Sequence, residues 1–405
     1  MSIKKVFGIL FLGFFLSCNC LVFAQLDCGI PNGPAPIPFT DANYGAFCSA
    51  IAQAYFTGLT NGTSPTTYGP TALVDRGMMA AFITRTMNQS LKRGSHRAAM
   101  GQWWTMRDLD GLALYGSTGT WGMPLTVATD GRNVWAGCTG GIGRLDVGTG
   151  TVLNYYTVSG DVSGIVPVPQ GTIFVAGTAV YRLTPNGTAP QQAASLSGTG
   201  KGIAFDGSRY WVTTSPVSGS GAGSLYVFTQ TSPLLSWSGT LVAILQNPTS
   251  VLFDGTYIWV ADPGAHRVHQ FDTAGNPLWS AMCTGNPGDM VFDGTNLWVP
   301  DSANTVLVIR PGASGSTVIA SLSGNGLNRP RSAAFDGERI LVTNMSSPPC
   351  VSLFRAADLS SLGTATGTSF EPFYACSDGV NFWLLGETSW SGGIMTIYFA
   401  SVGRF

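Results

Sequence analysis

The feature that most constrains this 405-residue chain is an Asp-Gly step that returns at near-regular intervals after residue 109. It stands at Asp130-Gly131, Asp206-Gly207, Asp254-Gly255, Asp293-Gly294, Asp336-Gly337 and Asp378-Gly379, and Gln170-Gly171 fills the gap after the first. Successive differences are 40, 36, 48, 39, 43 and 42 residues. A sustained period of this length marks a repeated supersecondary unit, each too small to bury its own apolar face and obliged to stack on the next.

Each unit runs through the same order of segments. Around Asp254 these are "SVLFDG", "YIWVADPG", "RVHQFDTAG" and "PLWSAMCTG". Asp-Gly suits a tight hairpin because both residue types tolerate positive φ at low cost. Five residues beyond the Asp stands Trp135, Trp211, Trp259, Trp298 or Trp383, with Val175 and Leu341 in the other two units. A large side chain at one fixed repeat position is what packing between stacked blades requires, so these indoles are expected in the core. Four short strands per unit predict a mainly β fold, a seven-bladed β-propeller over 109–405. Its units begin near residues 124, 161, 199, 246, 286, 328 and 370, with six blades as the alternative if the divergent 161–198 unit is irregular. The last unit offers only three strands. The orphan stretch "GLALYGSTG" resembles fourth-strand segments elsewhere, so residues 112–117 are expected to complete the last blade and remove its exposed edge.

Composition agrees with this reading. Charged residues make up 10% of the chain, against roughly a quarter in an ordinary soluble domain, and glycine is abundant. A formal net charge of -1 provides no electrostatic case for nucleic acid or an anionic membrane. At the N-terminus, Lys4-Lys5 precede the apolar run "VFGILFLGFFLSCNCLVFA", and Val22-Phe23-Ala24 offers a cleavage site. Residues 1–24 are therefore expected to be an export signal, with no membrane segment left after its removal. An uncleaved anchor and a lipoprotein at Cys18 are the alternatives; Asn19 inside the run and the Ala24 site favour cleavage. Six cysteines then remain, Cys28, Cys48, Cys138, Cys283, Cys350 and Cys376, and an exported chain permits them to pair. Cys28 and Cys48 flank one short segment and are the preferred bridge. The others read equally well as small buried apolar groups.

Between a Pro-rich linker (25–37) and a second linker (95–108) lies a helical segment, 38–94. Phe47, Ile51, Ala54 and Tyr55 fall at helical spacing, with Gly58 placed to stop the helix. A second helix follows Asp75 as N-cap, with Met79, Phe82, Ile83 and Thr86 as its expected buried stripe. "FTD…AIAQAYFTGLTNGTSPTTYGPTALVDRGMMAAFITR" resembles one S-layer homology (SLH) repeat. Phe39 and Asp41 fit the family's opening F-x-D, Gly58 and Gly62 its glycines, Tyr68 and Pro70 its aromatic-x-Pro, and Arg76 the Arg of its Thr-Arg-Ala-Glu signature. The resemblance implies binding to cell-wall polysaccharide with Arg76 at the glycan site. Met78 departs from the pattern by removing the Glu of a capping box, and only one repeat is present.

The unit around Asp254 is also similar to an NHL repeat, through "WVADPGAHRVHQFDTAGN". That likeness implies a binding or scaffolding propeller, although some related propellers are metal-dependent lactonases or lyases. Eight residues beyond the turn Asp, Asp262, Asp301 and Asn344 fall near one rim in three consecutive units. Such oxygens could hold Ca²⁺; the preferred reading is that each closes its own hairpin as an Asx-turn. His266 is expected to stabilise a turn. No G-x-S-x-G, P-loop or dinucleotide fingerprint is present. The expected function is a noncatalytic propeller that binds protein or glycan in the cell envelope or outside the cell, tethered by the SLH-like module. The alternative is a metal-dependent hydrolase or lyase using Asp262, Asp301 and Asn344, with Glu338 beside them.

Overall fold

The structure is a computed structural model describing residues 37–42, 47–56, 59–93, 112–115, 121–216, 221–230, 237–366, 370–379, 381–387 and 397–402. The expected export signal (1–24), Cys28 and the linker 95–108 lie outside these residues. Among the described residues no helix is long and apolar enough to cross a membrane.

After two helices, α1 (Cys48–Phe56) and α2 (Arg76–Arg93), the described chain forms strands in seven four-stranded antiparallel sheets. Six are built from consecutive strands: blade 1 (124–157), blade 2 (162–195), blade 3 (199–245), blade 4 (250–282), blade 5 (291–323) and blade 6 (330–366). The seventh sheet is composite: Glu371–Ser377, Phe382–Glu387 and Ile397–Val402 are joined by β1 (Leu112–Tyr115), drawn from before blade 1. Leu112 pairs with Val402 and Tyr115 with Phe399, so the two ends of the β region meet in one sheet. The innermost strands follow one another around an axis, and the composite sheet's first strand contacts that of blade 1. The fold is a mainly β propeller.

Burial grades outward within each blade. Second strands such as Asn133–Cys138, Ile258–Asp262 and Arg339–Asn344 are buried throughout, because sheets pack on both of their faces. Fourth strands such as Val152–Thr157 and Trp237–Leu245 face solvent along much of their length. The apolar core is divided between blade junctions. Trp259 packs with Leu297 and Val299 of the next blade, and Trp383 with Val127 and Val134 of blade 1. Each such indole removes on the order of 150–250 Å² from water.

The Asp-Gly turns show why this dipeptide recurs. Only the glycine takes positive φ, from +81° at Gly131 to +97° at Gly255; the aspartate contributes through its carboxylate instead. In blade 4, Asp254 Oδ1 accepts the N–H groups of Thr256 (2.8 Å) and Tyr257 (2.7 Å), while Oδ2 accepts the Trp259 indole N–H at 2.7 Å. The same indole bond joins Trp135 to Asp130 (3.3 Å), Trp211 to Asp206 (2.9 Å), Trp298 to Asp293 (2.8 Å) and Trp383 to Asp378 (2.8 Å). Burial opposes ionisation of Asp130 and Asp206, but hydrogen bonds outweigh it and hold both carboxyls below the usual range, led by the Asn133 side chain and turn N–H groups at Asp130 and by Trp211 and turn N–H groups at Asp206. In blade 6, Arg339 takes the place of the indole, pairing with Asp336 at 2.7 Å.

Blade 2 departs from the sequence-based alignment. Val168 pairs with Gly171 and Ile173 lies opposite Val166, as Trp135 lies opposite Ala128 in blade 1. Val168 therefore holds the turn-aspartate position, and Ile173 rather than Val175 replaces the tryptophan. The Pro169-Gln170 turn lacks an acceptor side chain like Asp130, so its signal is diluted in the sequence.

The helical segment shares a core with the propeller. Ile37, Phe39, Ile51 and Ala52 join one buried cluster with Trp298, Val308, Phe354 and Leu359 of blades 5 and 6. Phe39 packs edge-on against Tyr55 (5.4 Å) and also meets Tyr68, and Asp41 accepts the Tyr68 and Gly69 N–H groups at 2.8 Å. The motif residues thus hold one another across the loop. Two expectations are corrected: Phe47 is 73% exposed, and the α2 stripe faces solvent, Met79 at 51% and Ile83 at 55%. The buried face of α1 turns toward the blades, whereas of the expected α2 stripe only Phe82 is partly buried. Asp75 does cap α2, accepting the Met78 N–H at 2.7 Å.

Candidate functional site

The three oxygen-bearing side chains on the rim sit at the ends of second strands, one each in blades 4, 5 and 6. Each is nearly or fully buried and engaged by the segment that leads into its own blade. Asp262 accepts the N–H groups of Gln246 (2.9 Å) and Asn247 (2.8 Å), and that of Ala265 at 3.3 Å. Asp301 accepts those of Thr284 and Gly285, both at 2.8 Å, and of Ala303 at 3.2 Å. Asn344 accepts the Asn328 N–H at 3.0 Å and donates to Ser352 Oγ at 2.9 Å. Burial opposes ionisation of Asp262, yet the His269 ring and the backbone donors hold its carboxyl below the usual range. These side chains tie the connection before each blade to the turn after its second strand, a wider clamp than an isolated Asx-turn. Among the described residues no group of three or more His, Cys, Asp or Glu side chains is placed to hold a metal ion.

His266 caps a 3₁₀ turn (Pro263–Ala265) with left-handed backbone, and its Nδ1 lies 2.9 Å from the Gly285 carbonyl. Cys48 is disulfide-bonded, with its partner outside the described residues; Cys138, Cys283, Cys350 and Cys376 are free thiols. Burial pushes the Cys138 and Cys283 thiols up to about 12, which leaves them unreactive packing groups. Arg76 is exposed in the first turn of α2.

A different set of groups converges on the axis. A cavity of about 190 Å³ there is lined by Thr126, Ile165, Gly202, Ser250, Asp289, Ser332 and Tyr374, one from each sheet in turn. In blades 1, 3 and 6 and the composite sheet, an irregular register between the first two strands immediately precedes the lining residue. Bulges re-aim a side chain in this way.

Blade 5 builds its lining without a regular strand. Asp289 donates its N–H to Arg331 O at 2.8 Å and accepts from Ala333 N at 3.1 Å, forming a short parallel bridge to blade 6. Gly288 permits this approach, since a Cβ there would lie 2.0 Å from Arg331 O. Asp289 is partly buried and lines the cavity. Burial pushes it up to about 6, against the pull of the Arg331 charge and the Ser250 hydroxyl.

Arg331 lies over the rings of Phe373 (5.2 Å) and Tyr374 (4.8 Å), and donates to the Tyr374 hydroxyl. Burial raises the Tyr374 phenol, with Arg331 opposing. Glu371 faces Glu387 across the first two strands of the composite sheet. Burial and Glu371 together raise the Glu387 carboxyl, again against Arg331, and Glu387 Oε2 is buried without a hydrogen bond among the described residues. Near neutral pH this cluster can both donate and accept hydrogen bonds. Ser332 Oγ accepts the Ala375 N–H at 3.3 Å, His266 Nδ1 lies 2.9 Å from the Gly285 carbonyl, and His269 Nε2 lies 3.7 Å from Asp262 Oδ2.

Sequence reasoning missed Asp289. Four residues before the turn aspartate the units read Thr126, Gly202, Ser250, Asp289, Ser332 and Tyr374. The single carboxylate at this repeat position was the available signal.

No protein-family model matches the chain, and neither does any curated protein. Among solved structures it is similar to the β-propeller domain of Cps50 (Swd1) from Myceliophteria thermophila, with a TM-score of 0.57 and 11% identity. The match covers 72% of this chain and 99% of that one, a likeness of fold alone.

Proposed function

We propose that this chain is an exported, noncatalytic binding platform whose propeller recognises a protein or glycan at its axial mouth. The observation that supports this is the commitment of the Asp262 and Asp301 oxygens to backbone N–H groups, which removes them from metal chemistry. The polar groups left at the axis, Asp289, Arg331 and Tyr374, offer donors and acceptors suited to hydroxyls or amides. The SLH-like segment is the proposed tether, with exposed Arg76 meeting an anionic wall glycan. The full chain should be retained on purified cell wall and released when Arg76→Ala is introduced; equal retention of the variant rejects the tether. Screening neutral oligosaccharides and peptides against wild type and Tyr374→Phe tests the axial half. A ligand whose affinity ignores that substitution places recognition elsewhere.

A further inference from the structure

The aspartates of the turns and clamps are committed to the backbone, and the axial aspartate is not. Asp254, Asp262, Asp293, Asp301 and Asp336 each accept two or more main-chain N–H groups. The Asp289 carboxyl accepts none and enters no ion pair among the described residues; the Ser250 hydroxyl is the group that bonds it. Arg331, the charge it feels, is engaged elsewhere, with the Tyr374 hydroxyl and over the Phe373 and Tyr374 rings. No turn or clamp therefore accounts for a carboxylate at this repeat position.

The axial cavity sets that carboxyl among hydroxyls, since Thr126, Ser250, Ser332 and Tyr374 line it too. Asp289 is the one charged side chain in the lining. The volume, about 190 Å³, is below the roughly 300–1,000 Å³ of pockets that enclose drug-sized molecules, so one ring can enter and a folded chain cannot. Arg331 is not in the lining, and Glu387, beside Glu371, shares its charge. Asp289, Glu371 and Glu387 set against Arg331 leave an excess of negative charge when ionised.

We infer that the axial mouth takes a sugar unit bearing a free amine, with the Asp289 carboxylate as counter-charge to its ammonium and the lining hydroxyls as partners for its own. This rests on the axial mouth being the recognition site and narrows its ligand. An ammonium group has three donors and no acceptor, which suits a site whose one charge can only accept. Such a charge-assisted bond is roughly twice as strong as a neutral one, and the low dielectric away from bulk water strengthens it further. A lysine side chain brings the same ammonium, but its four-carbon stem would leave the lining hydroxyls without partners. Burial holds the carboxyl at about 6, so in acid it must release a proton before it can pair with a cation.

The probe is the glucosamine disaccharide with both amines free, titrated into the full chain by calorimetry at pH 7. Its di-N-acetylated form and Nα-acetyl-lysine amide are titrated beside it. One saturable site is expected for the free-amine disaccharide, weakened at least tenfold by N-acetylation and by Asp289→Asn, which keeps the shape of the side chain. Affinity should rise about tenfold from pH 5 to pH 7, following the ionised fraction of a carboxyl that titrates near 6, and Asp289→Asn should flatten that profile. Lysine amide binding as tightly as the disaccharide overturns the sugar in favour of a basic protein segment. Equal binding of the acetylated form, or an affinity indifferent to Asp289→Asn, overturns the ammonium contact. A neutral ligand lost in Tyr374→Phe, with no saturation by millimolar free amine, rejects the amine and leaves the axial mouth as the recognition site. If no ligand responds to either substitution, both readings fail.

Discussion

The indole Nε1 of Trp298 donates a 2.8 Å hydrogen bond to Oδ2 of Asp293, and both residues are fully buried. Asp293 Oδ1 already accepts the Thr295 and Asn296 N–H groups, so the turn and the junction core form one bonded unit. Trp298→Phe keeps an aromatic ring but leaves a buried carboxylate oxygen short of a donor. Stability should fall by about 1–3 kcal/mol, read as a lower urea midpoint with an unchanged slope.

The axial carboxyl makes stability depend on pH. Asp289 titrates near 6 in the folded chain and about 3.9 when unfolded, so its contribution is fully present below about pH 4 and lost as pH rises through 6. Asp289→Asn should match wild type in acid and exceed it at pH 8, by on the order of 3 kcal/mol from the two-unit shift. Paired thermal melts from pH 4 to 8 check the growing gap; a constant offset would refute the assignment.

Asp301 is a structural clamp, and its loss should be felt without metal. Asp301→Ala removes the acceptor for the Thr284 and Gly285 N–H groups and should cost about 1–3 kcal/mol. The drop in melting temperature should be the same in chelator and in millimolar calcium. A calcium-dependent stabilisation that vanishes in the variant would reinstate a cation at this rim.

Arg310 holds the end of α1 to blade 5. Arg310→Ala should leave the propeller's melting transition within a few degrees of wild type while exposing the chain before residue 60 to limited proteolysis. Mass spectrometry of the first cleavage products distinguishes this from general loosening.

β1 completes the composite sheet. Replacing residues 112–115 with Gly and Ser should uncover the Ile397–Val402 edge, lower the melting temperature and promote self-association, measured by light scattering. An undiminished melting temperature would show that closure does not need this strand.

Much of the fold was legible because its signals are local. The Asp-to-Trp bond spans five residues, so turn, strand and junction core recur together in the sequence. The same logic marked residues 112–117 as a missing fourth strand, and Phe39, Asp41 and Tyr68 as one motif. Where the local signal is absent, reading failed: the Pro169-Gln170 turn has no carboxylate like that of Asp130, and the alignment of blade 2 slipped by two residues. The α2 stripe failed for another reason. Helical periodicity at Met79 and Ile83 says that a face is apolar; it does not supply a neighbour to cover it.

The sequence by itself determined the repeated hairpins, their spacing and the tryptophan junctions, since each depends on contacts a few residues apart. Only the tertiary structure decided what the acidic groups do. Asp262 and Asp301 look alike as ligands and as clamps until the segments before each blade bring backbone N–H groups to them from about sixteen residues away. Asp289 looks like a loop residue until ring closure places it on the axis beside Arg331, where removal from water changes its acidity.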